Sequence, residues 1–149
     1  MGAVTAALYT RDILRLAASI PHLGRLAGAQ ASVEKSAPLC GSRVVVDLSL
    51  NAEGRVAALG QEVKACALGQ ASAALMGGHV IGRDAAALAE ARDALAAYLA
   101  GGSDDPGRWP GLDAFAAARS FSARHGAILL PFQAAAEAAL LAAREPVRP

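Results

Sequence analysis

The chain has 149 residues and a formal net charge of +1, with 14 Lys and Arg against 13 Asp and Glu. This length suits one compact domain with its own core, so we expect residues 1–149 to form a single domain. The basic residues are scattered, which argues against nucleic acid as a partner because phosphate binding needs a concentrated cationic surface. Aromatic residues make up only 4% of the chain, so small side chains on helices must supply most of the core.

The apolar stretches of the sequence do not predict a membrane protein. The most apolar one is interrupted by Arg124, Pro131 and Glu137, and we expect no segment to reach the roughly 18–20 apolar residues of a membrane span. The first residues also lack the cationic region of a secretory signal, and Arg11 and Asp12 follow within one helical pattern. These patterns predict a cytoplasmic protein with no membrane partner.

The first half of the chain predicts one helix and a small antiparallel sheet. Apolar residues recur with a helical period over residues 8–20, and a short strand is expected near residues 31–35. Over residues 43–50 the period changes to two, which is typical of a half-buried strand. The turn residues 51–54 then lead into a second strand over residues 55–64, which completes a hairpin.

The second half predicts helices that would pack on this sheet. The predicted helical ranges are residues 66–76, 84–100, 112–118 and 131–141. Gly77 and Gly78 are expected to stop the first of these helices, and Asp84 is expected to cap the second. Trp109 should anchor a surface loop, and Pro131 should lie in the first turn of the last helix, where a missing N–H costs nothing. The order of elements predicts an α+β fold with about three antiparallel strands and several packed helices.

Both cysteines lie at the ends of predicted elements. Cys40 ends the loop before the hairpin, and Cys66 opens the helix that follows it. A helix N terminus carries the positive end of the helix dipole and favours a thiolate, which is the form that binds soft metals or accepts sulfur. Spaced cysteines in a reducing compartment are more often metal or sulfur ligands than a disulfide, although both could also be small buried hydrophobic residues.

Separated sequence patterns around these cysteines point to a known family. Residues 36–42 read S-A-P-L-C-G-S and residues 65–76 read A-C-A-L-G-Q-A-S-A-A-L-M, while residues 121–124 read F-S-A-R and residues 130–132 read L-P-F. They resemble, in the same order, N-P-x-C-G-D, G-C-x-I-S-x-A-S-A-S-L-M, F-P-A-R and L-P-W of the U-type iron–sulfur cluster assembly scaffolds, the IscU, SufU and NifU N-terminal group. The resemblance covers about residues 8–142.

This resemblance implies a function as well as a fold. Members of the family have a small antiparallel sheet with packed helices, and they assemble a [2Fe–2S] cluster from iron and from sulfur that a cysteine desulfurase delivers. They then pass the cluster to recipient proteins. Cys40 and Cys66 would be the first and second scaffold cysteines and would bind the iron–sulfur cluster, with zinc as an alternative occupant. Such a chain is a carrier rather than an enzyme, and no nucleophile–base motif predicts catalysis.

Two positions depart from the family pattern. Ser42 stands where the family has an aspartate, and Ala127 stands where it has a third cysteine. A cluster needs about four protein donors, whereas this chain has two cysteines. His125 could add a nitrogen, but a lone histidine is more often a surface or satisfied core residue. Two hypotheses remain open: a homodimer whose chains share one cluster through Cys40 and Cys66, or a degenerate scaffold that binds partners and no cluster.

Overall fold

A three-stranded antiparallel sheet, in the order β1–β2–β3, lies at the centre of the fold. The computed structural model describes residues 8–39 and 41–145. The strands are β1 (Ala31–Ala37), β2 (Ser42–Leu50) and β3 (Val56–Lys64). The predicted α+β fold and its three strands are confirmed, and β1 extends two residues beyond the predicted range.

The helices of the described residues pack around one long helix. They are α1 (Arg11–Ala17), α2 (Ala67–His79), α3 (Ala85–Leu99) and α4 (His125–Ala143), with 3₁₀ segments at Leu112–Ser120 and Ser122–Arg124. Helix α4 contacts β1 and β2 on the inner face of the sheet, and α2 and α3 contact α4 in turn. Asp84 caps α3 as predicted, because its carboxylate accepts a hydrogen bond from the Ala87 N–H at 2.8 Å.

The last helix is also the most apolar part of the chain. Contrary to the sequence expectation, the stretch Ser122–Ala143 is long and apolar enough to cross a membrane by length and composition. However, 61% of the tested stretch is buried inside the fold, and residues such as Phe132, Ala134 and Ala138 have no exposed surface. Its hydropathy is that of a core helix, because sheet and helices cover it on several sides.

The sequence predicted that α2 would stop at Gly77 and Gly78. This prediction is wrong, because the helix continues through both glycines to His79. The reason for Gly77 is packing. A Cβ atom there would lie 2.7 Å from Gln61 Nε2 and 3.1 Å from Pro21 Cγ, whereas a Cβ at Gly78 would meet nothing within 4 Å. Glycine at position 77 therefore allows α2 to approach the sheet closely.

The prediction that Pro131 opens the last helix is wrong, because α4 begins six residues earlier and Pro131 lies inside it. A proline inside a helix cannot donate to the carbonyl four residues before it, here that of Ala127. Helix α2 packs against this turn: the Ser72 hydroxyl donates to the Ile128 carbonyl at 2.5 Å. A Cβ atom at Gly69 would lie 3.2 Å from the Ala127 carbonyl oxygen. Small residues on α2 thus fit against the interrupted turn of α4.

Residues 21–26, called the crossing segment below, pair with the free edge of β3 and then reach over Gly60 and Asp47 on the outer face of the sheet. The Gly24 N–H donates to the Gln61 carbonyl at 2.8 Å, and the Gln61 N–H donates to the His22 carbonyl at 2.9 Å. A Cβ atom at Gly60 would lie 2.6 Å from the Gly24 carbonyl oxygen. Because Gly60 has no side chain, the crossing segment can lie directly against β3.

The crossing segment buries Asp47, which lies on the other face of β2 from the core residues Val44, Val46 and Leu48. Asp47 is 1% exposed and accepts hydrogen bonds from Arg25 Nε at 2.7 Å and from the Leu26 N–H at 3.0 Å. Burial by itself raises the pKa of Asp47, but hydrogen bonds from Arg25, Ser32 and Leu26 and the charge of Arg25 outweigh it. The net effect lowers the pKa below its ordinary value of 3.8, so the ionised carboxylate stabilises the fold.

Replacing Asp47 with Asn should lower the free energy of unfolding by about 1–3 kcal/mol at neutral pH, since the charged hydrogen bonds to Arg25 are lost. The folded pKa is depressed, so this contribution is complete above the unfolded value of 3.8 and disappears as the pH falls through the folded value. Urea unfolding at neutral pH and at about pH 3 should show the difference shrinking at the lower pH. Asp93→Asn, at an exposed ion pair with Arg92, is the control and should change stability by less than about 1 kcal/mol.

Replacing Gly60 with Ala should destabilise the protein by about 1–3 kcal/mol, because the new methyl group would push the crossing segment off β3. Gly78→Ala is the matched control. It adds the same methyl group to a helix position with nothing within 4 Å and should stabilise the protein by up to about 1 kcal/mol. Thermal unfolding of both variants measures the two signs, and equal shifts would contradict the packing role of Gly60.

Candidate metal and sulfur site

Three parts of the chain meet at one end of the sheet, called the site end below. Ala37 at the end of β1 pairs with Ser42 at the start of β2, and Arg43 pairs with Lys64 at the end of β3. The start of α4 lies at the same end, because a Cβ atom at Gly126 would lie 3.5 Å from the Ala37 Cβ. The antiparallel register therefore brings the β1–β2 loop, the end of β3 and the first turn of α4 together.

Cys66 lies at the site end as the N-cap residue of α2, in agreement with its predicted position. Its backbone is extended, with φ −66° and ψ 172°, and its carbonyl accepts from the Gln70 N–H at 2.9 Å. The side chain makes no capping hydrogen bond and is free of a disulfide. Cys66 is partly buried and packs against the edge of the core at the N terminus of α2.

Cys40, the other predicted ligand, lies outside the described residues. Its neighbours place the loop at the site end: the Gly41 N–H donates to the Ala37 carbonyl at 3.0 Å, and Gly41 has φ +68°. Leu39 is 91% exposed. The convergence of the two cysteine sulfur atoms therefore remains a prediction.

The two departures from the family pattern also lie at the site end. Ser42 is 2% exposed and lies on the inner face of the sheet, opposite Ala37 in the register. Ala127 has no exposed surface and lies in the first turn of α4. Ala127 faces the first turn of α2, since a Cβ atom at Gly69 would come within 3.5 Å of the Ala127 Cβ. The place that the resemblance assigns to a third cysteine therefore holds a buried methyl group close to the helix that Cys66 opens.

His125 is held by a structural hydrogen bond. Its Nε2 lies 2.8 Å from the Ala118 carbonyl oxygen, to which a protonated Nε2 donates. Successive residues of an α-helix are about 100° apart, so residue 125 lies about 160° around α4 from residue 127. His125 thus joins the start of α4 to the preceding 3₁₀ segment, which agrees with the expectation of a satisfied histidine.

The described residues do not provide a complete set of donors for a cluster. Among residues 8–39 and 41–145, no group of three His, Cys, Asp or Glu side chains is placed to hold a metal ion. Cys66 and the undescribed Cys40 would provide two of the about four donors that an iron–sulfur cluster takes. A single chain therefore fits the cluster only in part.

Sequence periodicity does not reveal the contact between the starts of α2 and α4. Gly69 makes this contact possible, because a Cβ atom there would lie 2.6 Å from the Ala65 Cβ as well as close to Ala127. The only sequence signal is the spacing of small residues at Ala65, just before α2, and at Gly69 and Ser72 within it. The same spacing occurs in helices that pack for other reasons, so it does not by itself identify a site.

The fold is similar to solved structures over nearly their whole length. The N-terminal nitrogen-fixing NifU-like protein from Brucella abortus is 36% identical, with a TM-score of 0.89, and the match covers 96% of this chain and 99% of that chain. A putative iron–sulfur cluster assembly scaffold protein for the SUF system from Fervidobacterium islandicum AW-1 is 19% identical, with a TM-score of 0.83, over 91% and 98% of the two chains. A hypothetical protein is 22% identical, with a TM-score of 0.75 over 91% and 98%. No protein-family model and no curated protein matches the chain.

The two less similar structures show the fold alone, an α+β domain. The identity and coverage of the Brucella match go further. The chain belongs to the U-type iron–sulfur cluster assembly scaffold family, in its NifU-like N-terminal group. The resemblance found in the sequence is confirmed.

Replacing Gly69 with Ala should destabilise the protein by about 1–3 kcal/mol, because the added methyl group would separate the starts of α2 and α4. Gly126→Ala is the matched control at the same end of the sheet, since its Cβ would meet the Ala37 Cβ at an ordinary contact distance of 3.5 Å. Thermal unfolding should show a lowered midpoint only for Gly69→Ala. An unchanged midpoint would show that the two helices can separate without cost.

Proposed function

We propose that this chain is an iron–sulfur cluster assembly scaffold or carrier that binds iron and sulfur through Cys40 and Cys66. One observation supports this most directly. In a chain of the scaffold family, Cys66 is partly exposed at the N terminus of α2, and the residues on either side of position 40 lie at the same end of the sheet.

The chemistry of the site fits this cargo. Thiolates are soft ligands that suit iron in clusters and also zinc, and the N terminus of α2 favours negative charge on the Cys66 sulfur. The Cys66 side chain makes no capping hydrogen bond, so its sulfur is not engaged with the backbone of its own helix. In this proposal a [2Fe–2S] cluster is the cargo, and zinc is the alternative occupant.

The proposal includes a set of partners. A cysteine desulfurase would supply sulfur, and recipient proteins would take the assembled cluster, as the family membership suggests. The protein would act in the cytoplasm as a carrier rather than an enzyme. Nearby on the surface, a cavity of about 230 Å³ lies between Pro38 and Leu39 of the β1–β2 loop and Ala123 and Gly126 at the start of α4. Partners that reach the thiols would contact this surface.

A second candidate function is a cluster-free interaction module on the same fold. The observation that favours it is the packing at Ala127 and Ser42, which are both buried small residues at positions where the family carries ligands. In that case Cys40 and Cys66 would contribute only to folding or to the partner surface.

Anaerobic reconstitution with iron and sulfide separates these two candidates. The wild-type chain should bind iron and sulfide and gain a visible absorption band, whereas Cys40→Ala and Cys66→Ala should each lose at least about tenfold in bound iron, since a removed thiolate leaves too few donors. Bound iron, zinc and sulfide per chain are the quantities to measure.

Ser19→Ala, at an exposed position, is the control for the effect of substitution and purification. It should bind as much iron and sulfide as the wild type. Circular dichroism checks that each cysteine variant is folded. Equal iron in all four proteins would contradict a ligand role for the cysteines, and the absence of iron and sulfide from all of them would favour the interaction module.

A further inference from the structure

One residue of α2, Gln70, bonds to the backbone on both sides of Cys66. Its Nε2 donates to the Ala65 carbonyl at 3.1 Å, and its backbone N–H donates to the Cys66 carbonyl at 2.9 Å. We propose that Gln70 is a positioning residue, which fixes the direction of the Cys66 side chain for binding metal or sulfur. This inference rests on the proposed function and adds to it a residue that does not itself bind the cargo.

The hold of Gln70 on Cys66 follows from the planarity of peptide groups. Because each peptide group is rigid, the backbone at Cys66 can turn only about its φ and ψ bonds. The two carbonyls that accept from Gln70 belong to the peptide groups on either side of the Cys66 Cα, which is held extended with φ −66° and ψ 172°. Bonding both groups to one residue therefore fixes the Cα–Cβ direction, and the sulfur keeps only its χ1 rotation.

The bond to Ala65 also sets the angle at which the chain enters α2. In many helices an apolar contact between the residue before the N-cap and the fourth helical residue fixes this angle. Ala65 and Gln70 occupy these two positions, and a hydrogen bond takes the place of the apolar contact. Gly69 leaves room for it, since a Cβ atom there would lie 2.6 Å from the Ala65 Cβ. Ala65 joins the end of β3 to the N-cap, so this bond sets how the strand leads into the helix.

A neutral amide suits this place beside the proposed ligand. The first turn of α2 contains no acidic residue, and the Cys66 side chain makes no capping hydrogen bond. Residues four apart on a helix have Cβ atoms about 5–6 Å apart, so a carboxylate at position 70 would repel a thiolate at Cys66. An ionised carboxylate also has no proton to donate to the Ala65 carbonyl. Glutamine supplies the donor without the charge, and its bond is partly shielded from water.

Replacing Gln70 with Met tests the role of this bond, because methionine is uncharged, of similar length and a good helix former, but has no N–H to donate. In the metal-free protein, iodoacetamide should alkylate Cys66 about three- to tenfold faster, since a loosened backbone exposes the partly buried thiol more often. Mass spectrometry of the Cys66 peptide measures this rate. The variant should also bind cobalt(II), whose absorption spectrum reports thiolate ligands, about three- to tenfold more weakly, because its ligand is less preorganised.

Gln30→Met is the matched control. Gln30 Oε1 accepts from the Leu50 N–H at 2.7 Å, so the same substitution removes a bond between a glutamine side chain and the backbone. This bond lies where β2 ends, at the opposite end of the sheet from the site end. Gln30→Met should lower the midpoint of thermal unfolding but leave the alkylation of Cys66 and the binding of cobalt(II) unchanged.

The outcomes separate this inference from the proposed function. A wild-type alkylation rate in Gln70→Met, or an equal increase in Gln30→Met, would overturn the inference and leave the scaffold function standing. If the wild type binds neither cobalt(II) nor iron, the proposed function fails, while faster alkylation in Gln70→Met alone would still show that Gln70 positions Cys66. Gln70→Ala removes the same donor and should give the same changes, so it decides the question if Gln70→Met does not fold.

Discussion

Two buried polar residues, Asp47 on β2 and Gln61 on β3, hold the crossing segment on the sheet, and Gln61 also contacts α2. Asp47 accepts a hydrogen bond from the Leu26 N–H, and the backbone of Gln61 bonds to His22 and Gly24, while Gln61 Oε1 is buried with no partner among the described residues. Gln61 Nε2 also donates to the carbonyl oxygens of Pro21 at 3.0 Å and of Ala73 on α2 at 3.2 Å. One amide group thus ties β3, the crossing segment and α2 into a single geometry.

Helix α2 connects these contacts to the site end, because Cys66 is its N-cap residue. The Ala73 carbonyl, at the middle of the helix, accepts a hydrogen bond from Gln61 Nε2, and Gly69 lets the first turn pack against Ala127. Cys66 therefore caps a helix whose first turn and middle are both held by contacts with other elements. A rigid element presents one thiol, which is the arrangement that a ligand site requires.

The sequence predicted the strands and helices that depend on residues close together in the chain. The alternation of side chains predicted the hairpin of β2 and β3, and helical periodicity with a capping aspartate predicted α3. Gly77 and Pro131 were wrongly predicted because each owes its place to contacts between distant parts of the chain. For the site, the family resemblance indicated Cys66 and Ala127, but only the fold shows that Ala127 is buried beside the start of α2.

The crossing segment has a consequence for the order in which the protein folds. Its acceptors and donors on β3 are properly aligned only after β2 and β3 have paired, because Asp47 and Gly60 are opposite each other in that register. The crossing segment precedes both strands in the chain, so a ribosome makes it first, yet its docking must wait for them. Closing the hairpin involves residues near in sequence and is fast, whereas docking closes a longer loop. The crossing segment can therefore gain its native contacts only after the hairpin has formed.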